Sequence, residues 1–203
     1  MKKIGVFGGT FDPIHYGHLY VGENARIVCD LEKVIFVPSY KPPHKQNKII
    51  TSDFLRYNMC ILATKDNNSF SVSDIEIKKQ GISYTYNTLK LLKKSNENND
   101  YYFIMGADMF ADFPKWYKAS KILEEFKIIV FPRNGYDIHK IKQESFYMDY
   151  KDKIELLDLT TVNVSGTDLR NQLKSGYSAK YLIPDTVLEY IKAKNIYRGL
   201  IYG

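Results

Sequence analysis

Gly5-Val6-Phe7-Gly8-Gly9-Thr10-Phe11-Asp12-Pro13-Ile14-His15-Tyr16-Gly17-His18 is the stretch on which the reading of this chain turns. It starts in an apolar run, Ile4 to Phe7, of a length that suits one buried strand. It then passes through two glycines and ends in two histidines. Beyond them Val21, Ala25, Val28 and Cys29 recur at helical spacing. Strand, glycine turn, polar loop and helix form a layout that aims backbone N–H groups and a helix N-terminus at an anion. Gly8 and Gly9 carry no Cβ, so a phosphate can approach the main chain there. His15 and His18 lie at the mouth of the helix, within reach of the same anion.

Each piece alone has a plainer reading. Gly-Gly after a strand is a turn, and two histidines are surface residues or half of a zinc site. Zinc is disfavoured because Cys29 and Cys60 are isolated and no ligand pair of the usual spacing follows. The glycine spacing does not fit the Gly-x-Gly-x-x-Gly dinucleotide fingerprint. Taken together, the fourteen residues are specific. They resemble the nucleotidyltransferase superfamily, whose signature joins a glycine-rich strand end to (His/Thr)-x-Gly-His, here His15-Tyr16-Gly17-His18. More narrowly, Gly8-Gly9-Thr10-Phe11-Asp12-Pro13-Ile14-His15 is similar to the bacterial nicotinate mononucleotide adenylyltransferases.

Composition sets the bounds. The 203 residues, 44% hydrophobic, suffice for one sizeable α/β domain. No apolar run approaches the roughly 18 residues of a membrane span. The start Met1-Lys2-Lys3 leads straight into a strand without a signal-peptide core. Two isolated cysteines suit a reducing interior, and the chain reads as cytoplasmic. The net charge of +6 raises nucleic-acid binding. The lysines, however, come in ones and twos (Lys78-Lys79, Lys93-Lys94) and form no continuous stripe. A basic surface that favours small anions is the better account, with no nucleic-acid partner.

Further along, Lys33 to Pro38 reads as a second buried strand. A loop from Ser39 to Thr51 carries Pro42-Pro43-His44-Lys45, and its prolines stiffen the arm that presents the basic pair. Ser52 caps a helix bearing Leu55, Met59 and Leu62. Phe70 to Ser73, with Ile75-Glu76-Ile77, alternates like a third strand. Gly81 to Thr85 leads into a helix with Tyr86, Leu89 and Leu92, where Thr85 is by spacing a cap candidate. Tyr101 to Met105 is a strong buried-strand signal ending at Gly106-Ala107-Asp108. Trp116, the single tryptophan, sits among Pro114, Lys115 and Lys118, which suits a binding face as well as a core position. Lys127 to Phe131 is another strand, followed by Pro132-Arg133-Asn134-Gly135. Residues 136–153 are polar and carry no evident chemistry. Ile154 to Leu159 reads as the last strand and runs to a second strand-to-helix junction, Ser165-Gly166-Thr167-Asp168-Leu169-Arg170. Ser165 or Thr167 caps there, and Arg170 lies about one turn in, able to return toward an anion. Pro184 opens the final helix, with Val187, Leu188 and Ile191 inward.

Strands alternating with helices predict a Rossmann-like, doubly wound parallel sheet with helices on both faces. No repeat or linker interrupts it. One domain is expected over residues 1–203, the C-terminal helices (about 167–195) completing the core. Ligands in such sheets bind beyond the carboxyl ends of the strands, where both Gly8-Gly9 and Gly106–Asp108 fall.

The resemblance implies the activity and the roles. It implies transfer of AMP from ATP to nicotinate mononucleotide, giving nicotinate adenine dinucleotide and pyrophosphate, with Mg²⁺ arriving on ATP and no protein metal ligands. His15 and His18 would contact the ATP phosphates, His18 at the α-phosphate. Arg170 and Ser165 would hold the β- and γ-phosphates, and Gly8, Gly9, Thr10 and Phe11 would supply backbone N–H groups. Asp108, beside Gly106, would take a ribose hydroxyl, and Arg133 would pack on adenine. His44 and Lys45 would sit over the phosphates on the mononucleotide side. Thr85, Trp116 and Tyr117 would line the pyridine pocket. The family pattern Ile-Ser-x-Thr-x-x-Arg is met with Val164 for Ile and Gly166 at a position where Ser is frequent. Homo-oligomerisation is left open by the sequence. A phosphopantetheine adenylyltransferase or cytidylyltransferase leaves the Trp116 block and the Pro-Pro-His-Lys loop unexplained. A class I tRNA synthetase fragment would need a second lysine-rich signature. A non-catalytic nucleotide-binding regulator would bind ATP without releasing pyrophosphate.

Overall fold

A computed structural model of the chain describes residues 1–43 and 49–197. Six strands form one sheet: β1 (Lys2–Gly9), β2 (Lys33–Pro38), β3 (Phe70–Val72), β4 (Asn99–Gly106), β5 (Lys127–Phe131) and β6 (Ile154–Leu156). Their order is β3-β2-β1-β4-β5-β6, and every pairing is parallel. The doubly wound reading is thus borne out. The order reverses direction between β1 and β4, so the crevice of the fold opens above those two strands. Gly8 and Gly9 end β1 and Gly106 ends β4, placing three glycines at one rim.

Side-chain alternation along the strands divides the core into two layers. Phe7, Val34, Phe36, Ile104 and Ile129 point to one layer, where they meet α1 (Tyr16–Val28), α2 (Asp53–Thr64), α9 (Gly166–Lys174) and α10 (Asp185–Ala193). Ile4, Val6, Val37, Phe103, Met105 and Ile128 point to the other. There they pack on α4 (Thr85–Ser95), α5 (Ala107–Asp112) and α6 (Ala119–Glu125). Both faces being covered explains the near-continuous apolar character of the central strands. Leu169, Val187 and Ile191 of the C-terminal helices are buried in the first layer.

Three local expectations change. Ile75-Glu76-Ile77 is not strand but the short helix α3 (Ile75–Lys79). Three alternating residues cannot separate the two periods; Glu76 is buried, with the Thr88 hydroxyl donating to its Oε1 at 2.6 Å. Val28, expected on the inner face of the first helix, is 62% exposed; Gly17, Val21, Gly22 and Ala25 form the buried stripe. The last strand stops at Leu156, and residues 157–165 run on without regular structure. Residues 136–153 contain α7 (Ile138–Ile141) and α8 (Ser145–Tyr150).

Candidate active site

A cleft of about 470 Å³ opens above the carboxyl ends of β1 and β4. Its floor is Gly8, Gly9, Thr10 and Phe11, with His15 and His18 beside them and Gly106, Asp108 and Arg133 across the rim. Its far wall is Tyr84, Thr85, Trp116 and Tyr117. Residues some 100 positions apart in sequence therefore share one space, as the glycine-ended strands require.

The loop after β1 is shaped by aromatic packing. Phe11 is 2% exposed and sits at φ +49°, a conformation side-chain-bearing residues rarely adopt. A Cβ on Gly9 would lie 2.8 Å from the Phe11 ring, so only glycine lets that ring tuck beneath the strand end. Phe11 meets His18 edge-on with centroids 5.0 Å apart.

His15 is the N-cap of α1 and His18 is its third residue. The two imidazoles stack with centroids 3.7 Å apart, and the His15 backbone N–H donates to His18 Nδ1 at 3.3 Å. That bond places the proton of a neutral His18 ring on Nε2. His15 is 3% exposed, and its pKa is pulled down to about 4 by burial and then by the Arg133 charge. It is neutral at physiological pH. The histidine pair thus offers N–H donors at a helix N-terminus rather than two fixed cations.

Charge in the cleft is more balanced than a phosphate site suggests from sequence. Among the described lining residues Arg133 and Lys115 face Asp108 and Glu76. Asp108 Oδ1 lies 3.8 Å from Arg133 Nε, and burial pushes the Glu76 carboxyl up. A smaller pocket of about 160 Å³ shares Asp108 and Arg133 and adds Asn134, Tyr136 and Asn163.

Ser165 and Arg170 lie outside the lining of the cleft. The Ser165 hydroxyl caps α9 by accepting the Asp168 N–H at 3.1 Å. Arg170 donates to the Asp12 carbonyl at 2.7 Å and to the Thr167 hydroxyl at 3.2 Å. It is therefore tied to the loop after β1, one residue past Phe11. His44 and Lys45 lie outside the described residues.

At the aromatic end, Thr85 is the first residue of α4, and the Tyr84 and Tyr117 rings pack at 4.7 Å. Trp116 is half-buried, its ring 5.4 Å from that of Phe113 and 6.2 Å from that of Phe103. Core packing and cleft lining are both true of it. Met109 lines the cleft as expected of the segment that carries Trp116 and Tyr117, whereas sequence reasoning missed Glu76 and the run Leu159-Thr160-Thr161-Val162, all in the lining. The last was hidden by its apparent continuity with β6.

The chain matches the cytidylyltransferase-like family model over residues 6–172. It is 41% identical over 200 residues to a probable nicotinate-nucleotide adenylyltransferase of Clostridium tetani, covering 98% of this chain and 100% of that one. A probable nicotinate-nucleotide adenylyltransferase of Desulfitobacterium hafniense is likewise 41% identical, over 97% of this chain and 96% of its own length. Among solved structures, Plasmodium falciparum nicotinic acid mononucleotide adenylyltransferase complexed with NaAD superposes with a TM-score of 0.81. It is 22% identical over 97% of this chain and 98% of its own. With that likeness in fold and the full-length relatives in sequence, the chain belongs to the cytidylyltransferase-like family and, within it, to the nicotinate-nucleotide adenylyltransferases.

Proposed function

We propose that this protein transfers AMP from ATP to nicotinate mononucleotide, releasing pyrophosphate and forming nicotinate adenine dinucleotide. The observation that carries the reading is one continuous cleft joining the Gly8–Phe11 loop and histidine pair to the Tyr84–Trp116–Tyr117 wall. A phosphate end and an aromatic end in one space suit a triphosphate laid against a pyridine nucleotide. The full-length relatives carry that activity in their names.

The reaction is an in-line displacement without a covalent enzyme intermediate. A phosphate oxygen of the mononucleotide forms a bond to the α-phosphorus as the bond to the pyrophosphate oxygen breaks. The nucleophile is already ionised, so no general base is required; catalysis is positioning and stabilisation of spreading charge. His18 donates from Nε2 to the α-phosphate, and neutral His15 supports it. The backbone of Gly8, Gly9, Thr10 and Phe11 cradles the phosphates. Ser165 and Arg170 hold the β,γ end once Arg170 exchanges the Asp12 carbonyl for phosphate. Asp108, beside Gly106, takes a ribose hydroxyl, and adenine packs on Arg133. Thr85, Trp116 and Tyr117 hold the pyridine, with His44 and Lys45 over the mononucleotide's phosphate. The divalent cation, Mg²⁺, travels with ATP as part of the substrate. The chain acts as one nucleotidyltransferase domain in the cytoplasm; both cysteines are free thiols, and no described helix is long and apolar enough to cross a membrane.

Incubating the protein with Mg-ATP and nicotinate mononucleotide and analysing the products by mass tests the reading. Equimolar dinucleotide and pyrophosphate support it. ATP binding with no dinucleotide would leave the regulator reading standing instead.

A further inference from the structure

Behind the phosphate-facing loop lies a buried polar hub that the reaction as written does not use. Arg56 is 1% exposed, yet it forms no ion pair among the described residues; Nε, Nη1 and Nη2 each donate to a main-chain carbonyl. Nη1 donates to Thr10 O at 2.7 Å, Nη2 to Ser39 O at 2.7 Å and Nε to Thr51 O at 2.8 Å. Asp12, also buried, accepts the Thr51 N–H at 3.2 Å through Oδ2 and the Tyr197 hydroxyl through Oδ1.

We propose that Arg56 and Tyr197 are positioning residues for the phosphate-binding loop, acting through Thr10 and Asp12; the inference rests on the adenylyl-transfer reading above. Burying a guanidinium is costly, and burial works against its charge despite nearby Asp12. As a filler of a core position an aliphatic residue would serve better. What the planar fork does that an aliphatic side chain cannot is fix three chain segments at once. Those segments are the glycine loop and both roots of the 39–51 loop. Tyr197 ties the far end of the chain to the same point. The loop needs such fixing because Phe11 sits at φ +49°, a conformation held by its surroundings. Slack at Thr10 or Asp12 moves the backbone donors of residues 8–11, and small errors of that kind cost up to about 10²-fold in rate.

Tyr197→Phe removes one hydroxyl and keeps the ring; Arg56→Lys keeps the charge and loses the fork. The readouts are hydrogen exchange of amides 8–12 in the ligand-free protein, thermal midpoint, and kcat and KM with Mg-ATP and nicotinate mononucleotide. Tyr197→Phe is expected to quicken exchange in 8–12 and to lower kcat about tenfold while still folded at the assay temperature, with KM for ATP changing less. Arg56→Lys is expected to lose more on the same readouts. If Arg56→Lys does not fold, Tyr197→Phe decides alone. Unchanged loop exchange with unchanged kcat in Tyr197→Phe would overturn the assignment, even if its midpoint falls. Wild-type protein that forms no dinucleotide would overturn the adenylyl-transfer reading instead, and the exchange comparison would still decide the hub.

Discussion

His18 Nδ1 accepts the backbone N–H of His15 at 3.3 Å while the two rings stack at 3.7 Å. The pair is thereby oriented from within its own helix turn, and the tautomer of His18 is set before substrate arrives. His18→Ala should lower turnover by about 10²–10³, the usual loss for one preorganised charge stabiliser. His18→Gln keeps an N–H₂ donor near the Nε2 position and should recover part of it; KM for ATP should move little in either. Steady-state kinetics of both variants check this. Equal losses in Gln and Ala would mean that the ring itself matters and not its donor.

Burial lowers the pKa of His15 from 6.5 to about 4, so protonation opposes folding. Above about pH 6.5 neither state holds the proton and the full stability is present. As pH falls from there toward about 4, the unfolded chain takes up a proton that the native state refuses. Stability should drop by about 3 kcal/mol over that window and level off below it. Thermal midpoints of ligand-free protein against pH should show this slope, flattened in His15→Gln. An identical slope in both would place the titration elsewhere.

A Cβ on Gly106 would collide with Asp108 Oδ1 and come within 3.0 Å of Arg133 Cγ, both in the cleft. The backbone there, φ −76°, accepts alanine without strain. Gly106→Ala should therefore fold yet push both side chains aside, weakening ATP about tenfold and the mononucleotide much less. Calorimetric titration with each substrate reads the split. Equal weakening of both would contradict the assignment of Asp108 and Arg133 to the ATP half.

Trp116→Ala should cost about 1–3 kcal/mol in affinity for nicotinate mononucleotide, taking base stacking on aromatic residues as a guide. Because the ring also packs on Phe113 and Phe103, the thermal midpoint should fall too. A fall in midpoint with unaltered mononucleotide affinity would make it a core residue alone.

The central strands were legible because burial on both faces makes Ile4–Phe7, Tyr101–Met105 and Ile128–Phe131 apolar throughout, and glycine marks where two of them end at the cleft. The hub was not. Arg56 lies in α2 three and four positions before the buried Met59 and Cys60, but arginine is a residue type almost never fully buried without a partner. Its burial depends on Thr10 and Ser39 carbonyls 46 and 17 positions away, and no local pattern encodes that. The neutrality of His15 was hidden for the same reason, since desolvation is a tertiary property. Ile75–Lys79 misled because three alternating residues suit either period, and Thr88, whose hydroxyl donates to Glu76 Oε1, lies 12 positions on.

Thr85 opens α4, whose N-terminal backbone donors and positive dipole end favour a carboxylate over a carboxamide. The most direct measurement is pyrophosphate release at saturating Mg-ATP with nicotinate mononucleotide, with nicotinamide mononucleotide, and with neither. Release should require a mononucleotide if AMP is transferred to one, with catalytic efficiency at least about tenfold higher for nicotinate mononucleotide. Release that ignores the mononucleotide, or no release at all, would contradict that transfer.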